Sequence, residues 1–537
     1  MNTIFKDRNG KSIYVLGLQS HNSSNGCWEM IDKAILAVKK YHGNTIEVPV
    51  YWYQVEPAEG QFDMSVVETL IQKVRTNGLH LIILWFGFSK NADCTYTPEW
   101  VKRCPERFRL AKDIDGGVVP MLSPHCEATI EADKKAFVKL VSFIKEIDEE
   151  ERTVIAMQVE NEIGLYNIDR CYSQKAQEDF DKGVPECLYD ASFAGSDAKE
   201  EGSSWYDRFG RFAHEAFSAW YFGIAIEKIA SAGKKVYPHL PLYMNTMQGE
   251  VRQEIAGQSY SSGSPVARVI DIWKKAAPSI ELFAPDLYCE PLSSYRRACS
   301  LYGREDNALF IPETGIMGDA FAMNLIHAAG EFGAIGICGF GAEGALTPDG
   351  ELHREAQKVA VTMGIINSMA PLLIKYRGTE KLFCVTQEEF QKSVHLERSL
   401  YHITCEYSNH SSKGTPLWTN LRTDSVIKEY PNVFEERGRA IIFEAAPDEF
   451  YLAGVGLSAH FLLKTAPDDT YPKKTYSSRA ATELTALTIE EGHFDESGEW
   501  VCEFVRRGDE IDYGVFLYPG VVVKVKLNPA ACKSMKW

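Results

Sequence analysis

The sequence has no uninterrupted apolar run of about 18 residues, the length that a membrane-spanning helix needs. Its first segment meets Asp7 and Arg8 before an apolar leader can form, so neither a secretion signal nor a membrane partner is expected, and a cytoplasmic location is. The 13 cysteines are odd in number, scattered and never at CxxC spacing, which argues against a disulfide framework and against a zinc ribbon. There is no HExxH pair and no GxxxxGK[ST] phosphate cradle, and Ser261-Ser262-Gly263-Ser264 lacks the residue order of a nucleophile elbow. No metal and no cofactor are expected. Gly339, Gly341 and Gly344 satisfy a bare GxGxxG, but the motif runs into Thr347-Pro348-Asp349-Gly350 instead of opening a helix, so it reads as a strand-end turn. Positive charge is scarce as well: 57 Lys+Arg stand against 74 Asp+Glu, a formal charge of −17, which leaves no concentrated basic face for nucleic acid.

What the 537 residues do supply, at 45% hydrophobic and 12% aromatic, is material for a large core and for aromatic-lined clefts. Short apolar runs alternate with helical patterns over the first 370 residues. Trp28 to Tyr41 puts Ile31, Ala34, Ile35 and Val38 on one helical face before Gly43, and Leu81 to Phe86 is almost wholly apolar, as a parallel strand buried on both faces requires. Strands are expected to start at residues 12, 45, 81, 154, 236, 280, 308 and 334. Eight such starts separated by helices match a (β/α)8 TIM barrel over residues 1–370, with another mixed α/β fold as the alternative. After Met369-Ala370-Pro371 the texture changes to Val/Phe/Tyr-rich segments broken by Gly, Asp, Asn and Pro. A β-rich accessory region is expected over residues 371–537, with Cys532 to Trp537 as a tail.

Barrel enzymes place their chemistry at the C-terminal ends of the strands, where the loops converge over a rigid core. Gln158-Val159-Glu160-Asn161-Glu162 ends the expected fourth strand, and alternation sends Glu160 and Glu162 toward one side. Phe310-Ile311-Pro312-Glu313 ends the seventh in a single carboxylate. Carboxylates at the ends of buried apolar strands are costly unless paired, hydrogen-bonded or used. Glycosidic cleavage uses two such groups, and at a separation of about 5–5.5 Å one attacks the anomeric carbon while the other protonates the leaving oxygen.

Gln158 to Gly164 resembles the acid/base segment of the glycoside hydrolase family 35 β-galactosidases, and Val48 to Phe62 resembles their second-strand segment. The likeness covers most of residues 10–370 and is nearest to a bacterial branch with a β-rich C-terminal domain; Leu84 to Lys90, Thr97 to Arg109 and Leu122 to Pro124 share it. The resemblance implies a retaining exo-glycosidase with Glu162 as acid/base and Glu313 as nucleophile. It also implies that Asn161 holds the sugar 2-hydroxyl, that Glu160 binds other hydroxyls, and that Tyr288 hydrogen-bonds the nucleophile, although a buried strand tyrosine satisfied elsewhere would read the same. The chain departs from better-known members in carrying Ile-Pro-Glu-Thr-Gly around Glu313, and Cys338-Gly339-Phe340-Gly341 where many of the wider clan place a tryptophan.

Aromatic rings pack well against the apolar face of a sugar, so Trp52 and Trp85, with Tyr51 and Tyr53, are platform candidates. Alternation makes each equally a core residue. Asn245 and Asn91, just beyond the fifth and third strands, are candidate polar contacts; Glu56 reads either as a mouth residue or as a turn carboxylate, and His21 and His125 as structural or surface histidines. The expected partner is a β-glycoside or small oligosaccharide, β-galactoside first. A β-glucosidase, a sugar-to-sugar transferase and a non-catalytic carbohydrate-binding barrel are the alternatives, and homo-oligomerisation is left open.

Overall fold

A computed structural model describes residues 4–191, 202–249, 255–408, 436–464, 486–506 and 514–528. The expected tail, 532–537, lies outside the described residues. The chain divides into two compact units, the first made of residues 1–39, 44–315 and 336–350 and the second of residues 40–43, 316–335 and 351–537.

The first unit contains the eight parallel strands β1 (Val15–Gln19), β2 (Thr45–Tyr51), β3 (His80–Lys90), β4 (Val154–Asn161), β5 (Leu242–Thr246), β6 (Leu282–Leu287), β7 (Phe310–Ile311 and Glu313–Thr314) and β8 (Gly336–Phe340). Neighbours pair in chain order from β1 to β6, and β1 also pairs with β8. The ring closes through β7. Pro312 has no N–H to give a ladder, so the strand breaks there; Phe310–Ile311 pairs with β8 and Glu313–Thr314 with β6. The fold is a TIM barrel. Every residue of β2, β4, β5 and β6 is buried, as strands enclosed on both faces must be.

The helices between these strands include α1 (Trp28–Lys40), α2 (Ser65–Thr76), α3 (Glu127–Asp148), α4 (Ala213–Val236), α5 (Ile270–Ala276) and α6 (Leu292–Tyr302). Spacing explains their inner faces: α1 buries Ile31, Ala34, Ile35 and Val38, and α2 buries Val67, Leu70, Ile71 and Val74. One strand start moves. The run from Val236 was expected to be extended, but Val236 completes α4, and Pro238 and Pro241 keep the following segment out of the ladder until Leu242. The glycine triplet is a strand-end turn: β8 stops at Phe340, Gly341 adopts φ 85°, and only the short 3-10 turn Ala342–Ala345 follows.

The second unit contains α7 (Asp319–Gly330), α8 (Arg354–Ser368), α9 (Ala370–Tyr376) and two antiparallel sheets of six and four strands. In Tyr401–Tyr407 alternate residues are buried, and Tyr401, Ile403 and Cys405 join Phe450, Phe461, Val523 and Val525 in one apolar core. The expected β-rich region is therefore present, but compactness divides the chain elsewhere than at residue 370. The reason is that α7 and α8 bond to the sheets. His327 on α7 pairs with Thr386 at 2.8 Å, and Arg439, 0% exposed, donates to Thr362 Oγ1 at 2.7 Å and to the Lys358 carbonyl at 2.8 Å on α8. Arg439 also donates to Glu436 at 2.9 Å, so its charge is paired as well as hydrogen-bonded. Every cysteine among the described residues is a free thiol, in keeping with the scattered spacing. Arg439→Leu strands Glu436 and two α8 acceptors, and is expected to destabilise the second unit by about 3 kcal/mol, measured as a lowered denaturant midpoint.

Candidate active site

The chain at the end of β4 does not simply alternate. Glu160 and Glu162 both occupy the left-handed region, at φ 59° and 44°, which is strained for residues with a side chain. Consequently the two glutamates have different surroundings, and the expectation that both face the sugar is corrected for Glu160. Glu160 is 0% exposed and turns into the seam between β4, β3 and α3. Its carboxyl accepts backbone N–H groups from Gly87 (3.2 Å), Phe88 (3.3 Å) and Ser89 (2.8 Å) at the end of β3. It also hydrogen-bonds the carboxyl of Asp133 on α3, which itself accepts from Phe88 N at 2.8 Å and Trp85 Nε1 at 2.9 Å. Burial pushes both carboxyls above their ordinary range, and for Glu160 the charge of Asp133 adds to it, so this pair retains a proton. Glu160 is a latch, not a sugar contact.

Glu313, on the second half of β7, faces the mouth among four donors. Gln19 Nε2 at the end of β1 lies 3.1 Å from its Oε1, and the amides of Asn161 and Asn245 each lie at 3.4 Å from the same oxygen. Tyr288 donates its hydroxyl to Oε2 at 2.9 Å. Four donors and no acceptor suit an ionised carboxylate.

Asn245, 1% exposed, links the two carboxyl groups. Its Oδ1 accepts from the backbone N of Glu162 at 3.0 Å, and its Nδ2 donates to Asp286 at 2.9 Å besides Glu313. Lys90 at the end of β3 donates to Asn161 Oδ1 at 2.8 Å and Asn91 Oδ1 at 2.7 Å, and thereby aims the Asn161 amide nitrogen at Glu313. Burial, with the charge of Glu313, pushes Glu162 up to about 7, opposed by Lys90 and a hydrogen bond from Asp286. Deeper in the barrel Tyr243 donates to Glu47 at 3.0 Å, and burial holds Glu47 well above the carboxylate range as a neutral acid.

The structure therefore brings Asn161, Glu162, Asn245, Tyr288 and Glu313 together, with Asn91 one contact away through Lys90. It does not bring the two tryptophans. Trp52, 0% exposed, donates to Glu56 at 2.9 Å and meets Trp100 edge-on, while Trp85, also 0% exposed, faces α3 through Asp133 and Phe137. Both are core residues because each indole N–H found a buried carboxylate away from the mouth. Tyr51, Tyr53 and Tyr96 instead form a ring stack, and Tyr53 is 41% exposed. Glu56 is a turn carboxylate, accepting Gly60 N at 2.8 Å. His125 is buried against Asp179, and desolvation pushes it down to about 4, a neutral structural histidine. His21 packs its ring at a tilt against Phe340 and donates its backbone N–H to Glu343 at 3.0 Å.

Gln19, Lys90 and Asp286 went unassigned in the sequence. Each is the polar residue at the end of an apolar strand, the signal that did find Glu162 and Glu313. No cluster of chemically matched residue types pointed to them.

A family model described as beta-galactosidase, that of glycoside hydrolase family 42, matches residues 22–192, and a model described as a domain of unknown function, DUF5597, matches residues 362–518. The first stretch carries Asn161 and Glu162. No curated protein matches the sequence. Among solved structures, the catalytic domain of the β-amylase from Paenibacillus polymyxa is similar at 15% identity and TM-score 0.50, over 67% of this chain and 100% of that one. The β-galactosidase from Bacillus circulans sp. alkalophilus is similar at 15% identity and TM-score 0.51, over 70% of this chain. The chain spans only 58% of the length of that enzyme. These likenesses establish the barrel fold. The family match adds a β-galactosidase-type sequence pattern over residues 22–192. The matching model is that of family 42 and not of family 35, whose short strand-end segments the sequence resembles; such segments reflect the carboxyl chemistry of the barrel more than the family.

Gly87 is the weak point of the latch. A Cβ there would lie 2.3 Å from Asp133 Oδ2 and 2.5 Å from Glu160 Oε1, so Gly87→Ala must force the carboxyl pair apart. The expected loss is about 2–4 kcal/mol of stability, read by thermal or chemical denaturation. Because the folded pair binds a proton that the unfolded chain releases above its ordinary carboxyl range, stability should fall with rising pH from about pH 4 upward. Asp133→Asn should flatten that slope.

Proposed function

We propose that the chain is a retaining exo-glycosidase that releases a terminal β-linked hexose, with β-galactosides as the first substrates to test. The observation that carries this reading is the unlike state of two neighbouring carboxyl groups. Glu162 is pushed up to about 7 and so holds its proton below that pH, whereas Glu313 sits among four donors that suit its anion. One amide nitrogen, Asn245 Nδ2, reaches both Glu313 and the Asp286 carboxyl that bonds Glu162, so the two groups are linked through a single side chain.

In this mechanism Glu313 attacks the anomeric carbon as Glu162 protonates the departing oxygen, forming a covalent glycosyl-enzyme. Water then enters, Glu162 takes its proton, and the hexose leaves with its β configuration restored. Asn161, aimed by Lys90, is placed to hold a sugar hydroxyl beside the nucleophile.

Glu313→Gln is expected to lower kcat on an aryl β-galactoside by at least about 10³-fold while ligand binding persists; wild-type-like turnover would remove it from the mechanism. Azide should rescue Glu162→Ala on a substrate with a good leaving group and yield the β-glycosyl azide, and an α product by NMR would contradict retention. Since Glu162 works as an acid, kcat/KM should fall about tenfold per pH unit above about 7. A chromogenic panel of β-galactoside, β-glucoside, β-mannoside, β-xyloside and α-L-arabinoside decides the sugar.

A further inference from the structure

Asp286 lies at the end of β6, in register with Glu313 on the adjoining half of β7, and is 1% exposed. Its Oδ2 accepts from Asn245 Nδ2 at 2.9 Å, while its Oδ1 meets no amide or hydroxyl donor among the described residues. What its carboxyl does meet is the carboxyl of Glu162, in side-chain hydrogen-bond contact. Two carboxyl groups share such a bond only when at least one of them holds a proton.

The surroundings decide which one. Asp286 is faced by the carboxyls of Glu162 and Glu313, by the hydroxyls of Tyr288 and Tyr243, and by the ammonium of Lys90. Glu47 adds its carboxyl from β2 beside Glu313, and Tyr166 its hydroxyl beside Glu162. The hydrogen bonds of Lys90 go to Asn161 and Asn91, and Tyr288 gives its proton to Glu313. Asp286 is left with one amide donor for two oxygens, beside two other acids. An anion so placed is unfavourable; a neutral acid needs one acceptor, and Glu162 is one.

We propose that Asp286 is a positioning residue that stays a neutral carboxylic acid and donates a hydrogen bond from Oδ1 to a carboxyl oxygen of Glu162, both while Glu162 holds its own proton and after it has passed it on. The proposal rests on the reading of Glu162 as acid/base. When Glu162 passes its proton to the departing oxygen, the bond from Asp286 stabilises the new anion and keeps it over the anomeric centre. When water attacks, Glu162 takes the water proton. Asp286 holds its own proton through both steps, so it tunes the acid/base without entering the proton balance.

Asparagine reproduces a neutral aspartic acid, with Oδ1 accepting from Asn245 and Nδ2 donating to Glu162; leucine keeps the volume and loses the donor. The experiment compares wild type, Asp286→Asn and Asp286→Leu at two levels. In protein labelled with 13C at the aspartate carboxyl, infrared difference spectra at pH 7 between wild type and Asp286→Asn should contain a protonated-carboxyl C=O band from wild type. Its absence would overturn the proposal whatever Glu162 does, and the azide test on Glu162→Ala separately tests the acid/base reading. In pH profiles of kcat/KM, Asp286→Asn should keep the basic limb within about half a pH unit of wild type, whereas Asp286→Leu should move it upward by about one unit and lower kcat at least about tenfold. A downward move in Asp286→Asn, the mark of a removed negative charge, or a wild-type profile in Asp286→Leu would also overturn it. The infrared comparison does not depend on whether the leucine variant folds.

Discussion

Everything at the barrel mouth depends on burying acids with little positive charge to balance them. Glu47, Asp133, Glu160, Asp286 and Glu313 are each under 10% exposed, and Lys90 is the cation whose charge reaches Glu162 and Asp286. Such a cluster is stable only if some members keep protons and the rest collect donors. The structure does both. Glu160 and Asp133 share a proton while three backbone N–H groups hold Glu160; Glu47 is neutral beside Tyr243; Glu313 takes the side-chain donors. The raised carboxyl of Glu162 and the donor-rich setting of Glu313 are outcomes of that sorting.

The latch at Glu160 links the site to the barrel's construction. Because its carboxyl ties β4 to the end of β3 and to α3, the left-handed backbone at Glu160 and Glu162 is held by buried hydrogen bonds and does not relax to ordinary extended geometry. The carboxyl of Glu162 then lies where it feels the charge of Glu313. A buried residue thus fixes the backbone that carries the candidate acid/base beside it.

Much of this was legible in the sequence, and the parts that were not share a cause. Strand starts could be read because parallel strands are apolar on both faces, and Glu162 and Glu313 because a carboxylate ending such a strand has few other uses. Trp52 and Trp85 could not be placed, since the side to which an indole turns depends on where its N–H finds an acceptor, here Glu56 and Asp133, distant decisions that no local pattern carries. Glu160 was misjudged for a related reason. Alternation holds only while the backbone stays extended, and it leaves that region at this residue. The division of the chain shifted because helices whose local pattern belongs to the barrel repeat spend polar contacts on the sheets through Arg439 and His327.

Pro312 splits β7 between two neighbours, with the half before it hydrogen-bonded to β8 and the half after it to β6. Glu313 and Asp286 therefore sit on one hydrogen-bonded ladder, with Tyr288 one residue past its end, separate from the ladder to β8. If the barrel breathes, the seam at Pro312 is where the strand ladder has no bond to lose, and the paired Glu313 and Asp286 lie together on one side of it.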